Sequence, residues 1–300
     1  MKVVWSFWTK PVRAHCRSAW LSERHHLCAW ILSVETAREH YPETCLYTDD
    51  AGAKLLIDGL GLEFEHISTG LNVIEGHDPG WWAIGKLYTY RLQTDPFVHL
   101  DNDVFLWKPL PKRIELAPVF AQNPEYFVAG ASYYQPQAFE LVLKHLTDGW
   151  IPREWAWYRS AGQLQKAECC GVFGGNRIDL IKYYANLAIR LIEHPANQRG
   201  WGLLDDKIGH NILFEQYLLS ACIEYHRNKP DSPYQDIDIQ YLFKSSDDAF
   251  NPENAAQVGF THLIADAKRN VIVADRLEKR VQGDYPEHYE RCMKCINVLS

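Results

Sequence analysis

The stretch FVHLDNDVFLWKPLP, Phe97 to Pro111, decides the fold. Four mostly apolar residues run into Asp101-Asn102-Asp103, and an apolar run resumes at Val104. Read as one strand, it places Asp101 and Asp103 on the same side, roughly 6–7 Å apart at their Cα atoms. Two ionised carboxylates so close repel each other and are costly to bury unpaired. A hard divalent cation such as Mg²⁺ or Mn²⁺ relieves both penalties, because it takes carboxylates, waters and phosphate oxygens together. A strand end followed by a turn accounts equally for any D-x-D taken alone, so the surroundings must decide.

Upstream, KVVWSFW (Lys2 to Trp8) reads as a first strand, short and rich in β-branched and aromatic residues. From about Ala19 to His40, Trp20, Leu21, Leu27, Trp30, Ile31 and Val34 recur at helical spacing, and Pro42 closes that helix. TCLYT (Thr44 to Thr48) is a second strand, ending at Asp49-Asp50, which cap the short helix AGAKLLIDGLG. EFEH gives a third strand, and after a loop with Gly76 and Gly80 comes the helical WWAIGKLYTYRLQ. The opening stretch then supplies strand four. This alternation predicts an α/β fold with a mainly parallel central sheet flanked by helices and a Rossmann-like N-terminal half. Ligands of such sheets bind outside the carboxyl ends of the strands. Thr9-Lys10, Asp49-Asp50 and Asp101/Asp103 fall at three such ends, a convergence that turn chemistry does not predict.

Downstream, PVFAQ and YFVAGASYY read as strands, followed by a helix from Gln137 to Leu146 and a segment carrying Trp150, Trp155 and Trp157. The run ECCGVFGGN leads to helices over Ile178–His194 and Ile208–Tyr225, a late strand QVGFTHLIA, and a helical tail from about Asp266. No repeat, low-complexity tract or linker interrupts the chain.

With 47% apolar and 23% charged residues, 11 Trp and 16 Tyr, the composition is that of a soluble globular protein with aromatics in core or cleft. A net charge of -7 argues against an extended nucleic-acid surface and leaves room for a local basic pocket. No stretch reaches the roughly 18 apolar residues of a membrane span. The start, MKVVWSFWTKPVRAH, lacks the apolar core of a secretion signal, so a cytoplasmic location is expected. Cys16, Cys28, Cys45, Cys169, Cys170, Cys222, Cys292 and Cys295 are then read as thiols. Cys292 and Cys295 form a C-x-x-C without a second ligand pair at metal-site spacing.

A strand ending in D-x-D, after a helix carrying Lys86 and Arg91, resembles the signature of glycosyltransferases of the GT-A fold. DPFVHLDNDVFLWKPLP, CCGVFGGNRIDLI and ILFEQYLL resemble, in order and approximate spacing, segments of retaining families. These are the blood-group-type α-1,3-galactosyl- and N-acetylgalactosaminyltransferases and the glycogenin-like enzymes. The chain is also similar throughout to bacterial proteins grouped as a domain of unknown function. The resemblance implies one GT-A-like domain over 1–300: a nucleotide-binding half (1–106), a sugar and acceptor half (107–265) and a helical tail (266–300). It implies a Mn²⁺ or Mg²⁺ cofactor, a nucleotide-sugar donor with UDP favoured, and a glycan or other small acceptor; the oligomeric state stays open. Transfer would be of a hexosyl group, with retention.

By that implication Asp103 binds the metal directly, and Asp101 contacts the ribose or a metal-bound water. The metal neutralises charge growing on the departing diphosphate. His262 matches a metal ligand and Lys268 a phosphate contact; the alternatives are a satisfied strand histidine and a solvated helix start. Lys86 and Arg91 fall on the donor side. Gly174, Gly175 and Asn176 match a segment bordering the donor sugar. Glycines there allow close approach of a ligand or tight packing, and Asn176 either meets hydroxyls or caps the next helix. Thr9, Lys10 and Asp49 are placed to meet base or ribose, with Trp8 either there or in the core. Trp81 and Trp82 read equally as stacking platforms and as buried anchors.

One departure bears on the chemistry. Blood-group-type enzymes carry an Asp-Glu pair where this chain has His210-Asn211. The remaining candidates for a catalytic carboxylate are Asp206, Glu215 and Glu168, and an inverting enzyme would draw its general base from the same acids. A metal-dependent nucleotidyltransferase or phosphohydrolase is a competing reading, although WTKPVRAHC lacks the glycines of a phosphate loop. A non-catalytic sugar-binding protein on the same fold is another.

Overall fold

Nine strands and eight helices of eight residues or more are found among the described residues of the computed structural model. Those residues are 1–128, 134–146 and 148–296, with side chains set aside at 15–18. The strands are β1 (Lys2–Phe7), β2 (Thr44–Thr48), β3 (His66–Ser68), β4 (Phe97–Leu100), β5 (Val104–Leu106), β6 (Val119–Val128), β7 (Leu164–Gly175), β8 (Ile239–Tyr241) and β9 (Phe260–His262). The helices are α1 (Thr9–Ala19), α2 (Glu23–Arg38), α3 (Ile84–Leu92), α4 (Arg153–Ser160), α5 (Ile178–Glu193), α6 (Leu218–Arg227), α7 (Val271–Asp284) and α8 (Pro286–Cys295). The fold is α/β. The chain folds into two compact units interleaved in sequence: Met1–Pro79 with Phe97–Pro111 and Asn251–Ser300, and Gly80–Pro96 with Lys112–Phe250.

The first unit is built on parallel strands in the order β3-β2-β1-β4. β1 and β4 are buried along nearly their whole lengths, as continuous apolar runs in a two-faced parallel sheet must be. α2 is buried on most of its circumference and packs against β5, α7 and α8. The helix expected over 19–40 is in fact interrupted, with α1 ending at Ala19 and α2 opening after Ser22 in an extended conformation. As expected, Asp49 caps the following helical turn, accepting the Gly52 N–H at 2.7 Å.

The stretch at 97–111 differs from a single extended strand. β4 stops at Leu100, the chain turns through 101–103, and β5 leaves to pair antiparallel with β9 in a separate two-stranded sheet. Val104 N–H closes the turn on the Asp101 carbonyl at 3.0 Å. The acids mark the point where the chain abandons the parallel sheet, so their carboxylates are placed by a turn and not by strand alternation.

The second unit holds β7-β6-β8, with β6 antiparallel to β7 and parallel to β8. β6 is one ten-residue strand where two were expected; residues 129–133 of the expected YFVAGASYY strand lie outside the described residues. α3 packs on α5 and α4 on α6. An aromatic core joins Phe139, Trp155, Trp201, Phe214 and Tyr217, with Trp81 edge-on to Phe214 at 5.1 Å. Trp81 is thus a buried anchor, as is Trp8 in the first unit. No described helix is long and apolar enough to cross a membrane. Seven cysteines are buried free thiols, and the side chain of Cys16 lies outside the described residues.

Gly175 closes β7 with φ +149°, and a Cβ there would stand 2.2 Å from the Pro118 carbonyl oxygen. Backbone, not a movable side chain, occupies that space. Gly175→Ala is therefore expected to destabilise the protein by about 2 kcal/mol or more. Urea unfolding of the two proteins measures this, and an unchanged midpoint would show that the 115–118 segment yields freely.

Candidate functional site

The turn after β4 sets Asp101 and Asp103 beside β9. Leu263 N–H donates to the Asp103 carbonyl at 2.9 Å, and the β5–β9 register places His262 opposite Val104. One ligand atom from each of Asp101, Asp103 and His262 comes together, all within 4.8 Å of one another. Asp103 is 3% exposed. Its Oδ2 meets the Lys268 ammonium at 2.5 Å, while Oδ1 accepts no well-formed hydrogen bond and has His262 Nε2 at 3.5 Å. Burial pushes the Asp103 carboxyl up, but Lys268 and His262 outweigh it and hold the group well below the usual carboxylate range. An ionised, buried carboxylate with one oxygen short of a partner, next to a second carboxylate and an imidazole, fits a divalent cation. The mixed oxygen and imidazole donors suit Mn²⁺ better than Mg²⁺.

A second layer steadies these groups. His99 lies near the end of β4, with its Nδ1 3.8 Å from Asp101 Oδ1 and its Nε2 2.9 Å from Ser6 Oγ. Ser33 Oγ donates to the Asp101 carbonyl at 3.2 Å and accepts the Trp5 indole N–H at 3.0 Å. Such outer partners orient ligands and are part of a metal site's design. His26 on α2 is 3% exposed, its Nδ1 lacks a hydrogen-bond partner, and its ring lies 5.6 Å from that of Trp20. Burial, aided by Lys268 and opposed by Asp103, holds the His26 ring at a pKa of about 3, so it stays neutral. His99 and His26 were not singled out from the sequence: one sits inside an apolar strand run and the other in the tandem His25-His26 of a helical pattern, and neither spacing signals a site.

The other strand-end residues of the first unit are already engaged. Asp49 Oδ2 accepts both the Thr9 N–H and the Thr9 hydroxyl at 2.8 Å, tying the end of β2 to the end of β1. Lys10 Nζ donates to the carbonyls of Glu75 and His77, fastening the loop before Gly80. These contacts tie the strand ends and the loop together and do not involve Asp101, Asp103 or His262. A cavity of about 420 Å³ lies elsewhere, against β2 and β3 beside Arg38, Glu63 and Glu65, and includes none of these groups.

The second unit carries charge of its own. Lys86 on α3 forms an ion pair with the fully buried Glu215, and the Tyr184 hydroxyl donates to the Glu215 carbonyl. On β7, Lys166, Glu168 and Cys170 alternate onto one side. Glu168 is fully buried, accepts the Ser220 hydroxyl at 2.8 Å and lies 3.4 Å from Lys166 Nζ, which also reaches Glu224 at 3.1 Å and the Tyr241 hydroxyl at 3.0 Å. Burial pushes the Glu168 carboxyl up despite Lys166. Asp206, by contrast, is an exposed turn residue accepting the Gly209 N–H at 2.8 Å. Arg91 lies over the Tyr88 ring at 4.0 Å.

Gly174 pairs with Phe120 inside the sheet, and Asn176 donates its amide to the carbonyls of Glu115 and Ala117 instead of capping α5. Trp82 donates its indole N–H to the Ile208 carbonyl, and Asn211 is buried, bridging Gly80, Ala83 and Lys207. Sequence reading named Lys86 and Glu215 separately but not as partners, and it missed Lys166 and Tyr241. For Lys166 the two-residue spacing to Glu168 on a strand was the available signal.

The chain belongs to a family of unknown function, DUF6734, whose match spans residues 1–295. No curated protein matches it. Among solved structures it is similar to the galactosyltransferase LgtC, crystallised in complex with donor and acceptor sugar analogues. That likeness has a TM-score of 0.42 at 13% identity and covers 94% of this chain and 96% of the other.

Two expectations follow from the geometry. Removing one member of the buried Lys86–Glu215 pair takes the ion-pair partner from a buried charge, so Lys86→Met and Glu215→Gln should each destabilise by about 3 kcal/mol or more, and the double variant by less than the sum. Additive losses in a double-mutant cycle by urea unfolding would deny the coupling. His26, neutral when folded and able to protonate when unfolded, makes the unfolded state bind more protons between pH 3 and 6.5. Stability should therefore fall by about 1.4 kcal/mol per pH unit across that window as pH drops. His26→Phe should lose that slope, and identical slopes for the two proteins would refute the assignment.

Proposed function

We propose that this protein is a metal-dependent glycosyltransferase of the GT-A type. It would move a hexosyl group from a nucleotide-diphosphate sugar, UDP favoured, to a glycan or other small acceptor. The observation that carries the reading is the cluster of Asp101, Asp103 and His262 at the carboxyl end of β4, with Lys268 on the same buried carboxylate. Turn formation alone requires neither the burial of Asp103 nor the gathering of an imidazole and an ammonium around it.

A bound Mn²⁺ or Mg²⁺ would neutralise charge on the departing diphosphate. Asp103 and His262 would hold it directly, with Asp101 steadied by His99 as third ligand or as acceptor for a bound water. Lys268, whose side chain keeps 24% of its surface exposed, is the cation available to a phosphate oxygen. Thr9, Lys10 and Asp49 shape the nucleotide side, and Asp49 does so as the brace between two strand ends.

For the carboxylate that meets the developing positive charge at the anomeric carbon we assign Glu215, buried and matched to Lys86. Asp206 is an exposed turn cap and suits the role poorly. Glu168, pushed toward its protonated form by burial, is the better proton carrier and the poorer anion. A carboxylate there that shields or captures the oxocarbenium-like centre would give retention of configuration. By the resemblance, Lys86 and Arg91 fall on the donor side, and Gly174, Gly175 and Asn176 match a segment bordering the donor sugar. The buried thiols suit a reducing cytoplasm.

A ligand that binds only the native state at about 100 times its Kd stabilises it by about 2.7 kcal/mol. UDP with Mn²⁺ should thus raise the melting temperature by several degrees, Asp103→Asn should abolish the rise, and a turned-over UDP-sugar should release UDP. Absence of any metal-dependent shift with UDP or GDP would overturn the reading, and release of UMP would point to a nucleotidyltransferase or phosphohydrolase.

A further inference from the structure

Lys268 sits on the buried carboxylate that a cation at this site would use. Its ammonium is 2.5 Å from Asp103 Oδ2, and its second neighbour is the ring of Trp20, 5.5 Å away. The lysine backbone is held: its carbonyl accepts the Leu21 N–H at 3.1 Å, and the turn that carries it opens at Ala265 with φ +48°. A non-glycine residue at such a φ is strained and persists only where its surroundings impose it. The fixed turn, a long flexible side chain and partial exposure together leave the ammonium two places to be: on Asp103, or outward toward solvent.

Charge arithmetic separates those two states. Asp101, Asp103 and Lys268 sum to -1, from two carboxylates and one ammonium. A dication brings the sum to +1, with the ammonium and the ion competing for one buried carboxylate at contact distance, where repulsion is screened least. A diphosphate removes that excess and offers the ammonium new oxygens. Without the lysine, two carboxylates and a dication are neutral with no anion required.

Resting on the reading that Asp101, Asp103 and His262 hold a cation, we propose that Lys268 is a coupling residue that competes with the cation for Asp103. Through that competition, binding of a divalent ion and of a nucleoside diphosphate each requires the other. The bare protein then takes up metal weakly, diphosphate raises metal affinity by drawing the ammonium off Asp103, and linkage makes metal raise diphosphate affinity by the same factor. A site so wired avoids holding a bare, hydrated cation between turnovers.

The test is titration of the full-length protein with Mn²⁺ alone and again with saturating UDP, following free Mn²⁺ by electron paramagnetic resonance. Wild type, Lys268→Met, Lys268→Arg and Asp103→Asn are compared, each first checked for a cooperative melt. Lys268→Met should bind Mn²⁺ alone about tenfold tighter or more, within the range of roughly 5- to 150-fold usual for coupled sites. UDP should then improve its Mn²⁺ affinity far less than it improves that of wild type. Lys268→Arg, which keeps the charge and can grip the carboxylate with two N–H groups, should bind Mn²⁺ alone no better than wild type. If Lys268→Met binds Mn²⁺ alone with unchanged or weaker affinity while Asp103→Asn loses it, the cation site stands and the competition is refuted. If wild type and all variants fail to bind Mn²⁺ with or without UDP, the site and the competition fall together.

Discussion

A buried carboxylate must be compensated, and at Asp103 that requirement organises the C-terminal part of the first unit. β5 and β9 meet antiparallel so that His262 lies beside the acid, and the turn after β9 delivers Lys268 to its other oxygen. α2 covers the same place with His26, kept neutral by burial and by the lysine. α7 and α8 in turn pack on α2. Elements more than 150 residues apart in sequence are thus drawn around one oxygen pair, because leaving a charge of that kind uncompensated is among the costliest things a fold can do.

How much of this was legible depended on range. The parallel strands of the first unit announced themselves through apolar runs ending in Asp, Thr or Lys, and β1, β2 and β4 formed where those runs lie. The acids of the D-x-D could be read as a pair needing a partner, because the chemistry of two adjacent carboxylates is local. Their geometry could not. Strand alternation put them side by side along an extended chain, whereas the pairing of β5 with β9 breaks the strand between Leu100 and Val104. That pairing joins segments remote in sequence, and no local periodicity encodes it.

The same divide runs through the second unit. Trp81 offered two readings until Trp201 and Phe214 closed around it. Gly175 and Asn176 illustrate how one sequence cue supports two roles: the positive φ and the missing Cβ admit the Pro118 carbonyl, and the Asn176 amide satisfies two carbonyls of the same segment. Lys166 and Glu168 were recoverable from strand spacing. Lys86 and Glu215 were not, since they come from helical segments separated by most of the unit.

Of the buried carboxylates described in the second unit, Glu168 and Glu215 are fully buried, and their surroundings differ in kind. Glu168 is embedded in a network of Lys166, Ser220, Glu224 and Tyr241, so its charge is shared among several partners, and burial still pushes it toward the neutral form. Glu215 is fully buried and forms an ion pair with Lys86. Replacing such a pair with apolar residues is often neutral or stabilising, so stability alone gives little reason for its presence. The proposed reaction needs an anion, which the ion pair with Lys86 supplies at Glu215, whereas Glu168 is pushed toward its neutral form. That asymmetry, and not proximity in sequence to any motif, is the reason the reacting carboxylate is assigned to Glu215.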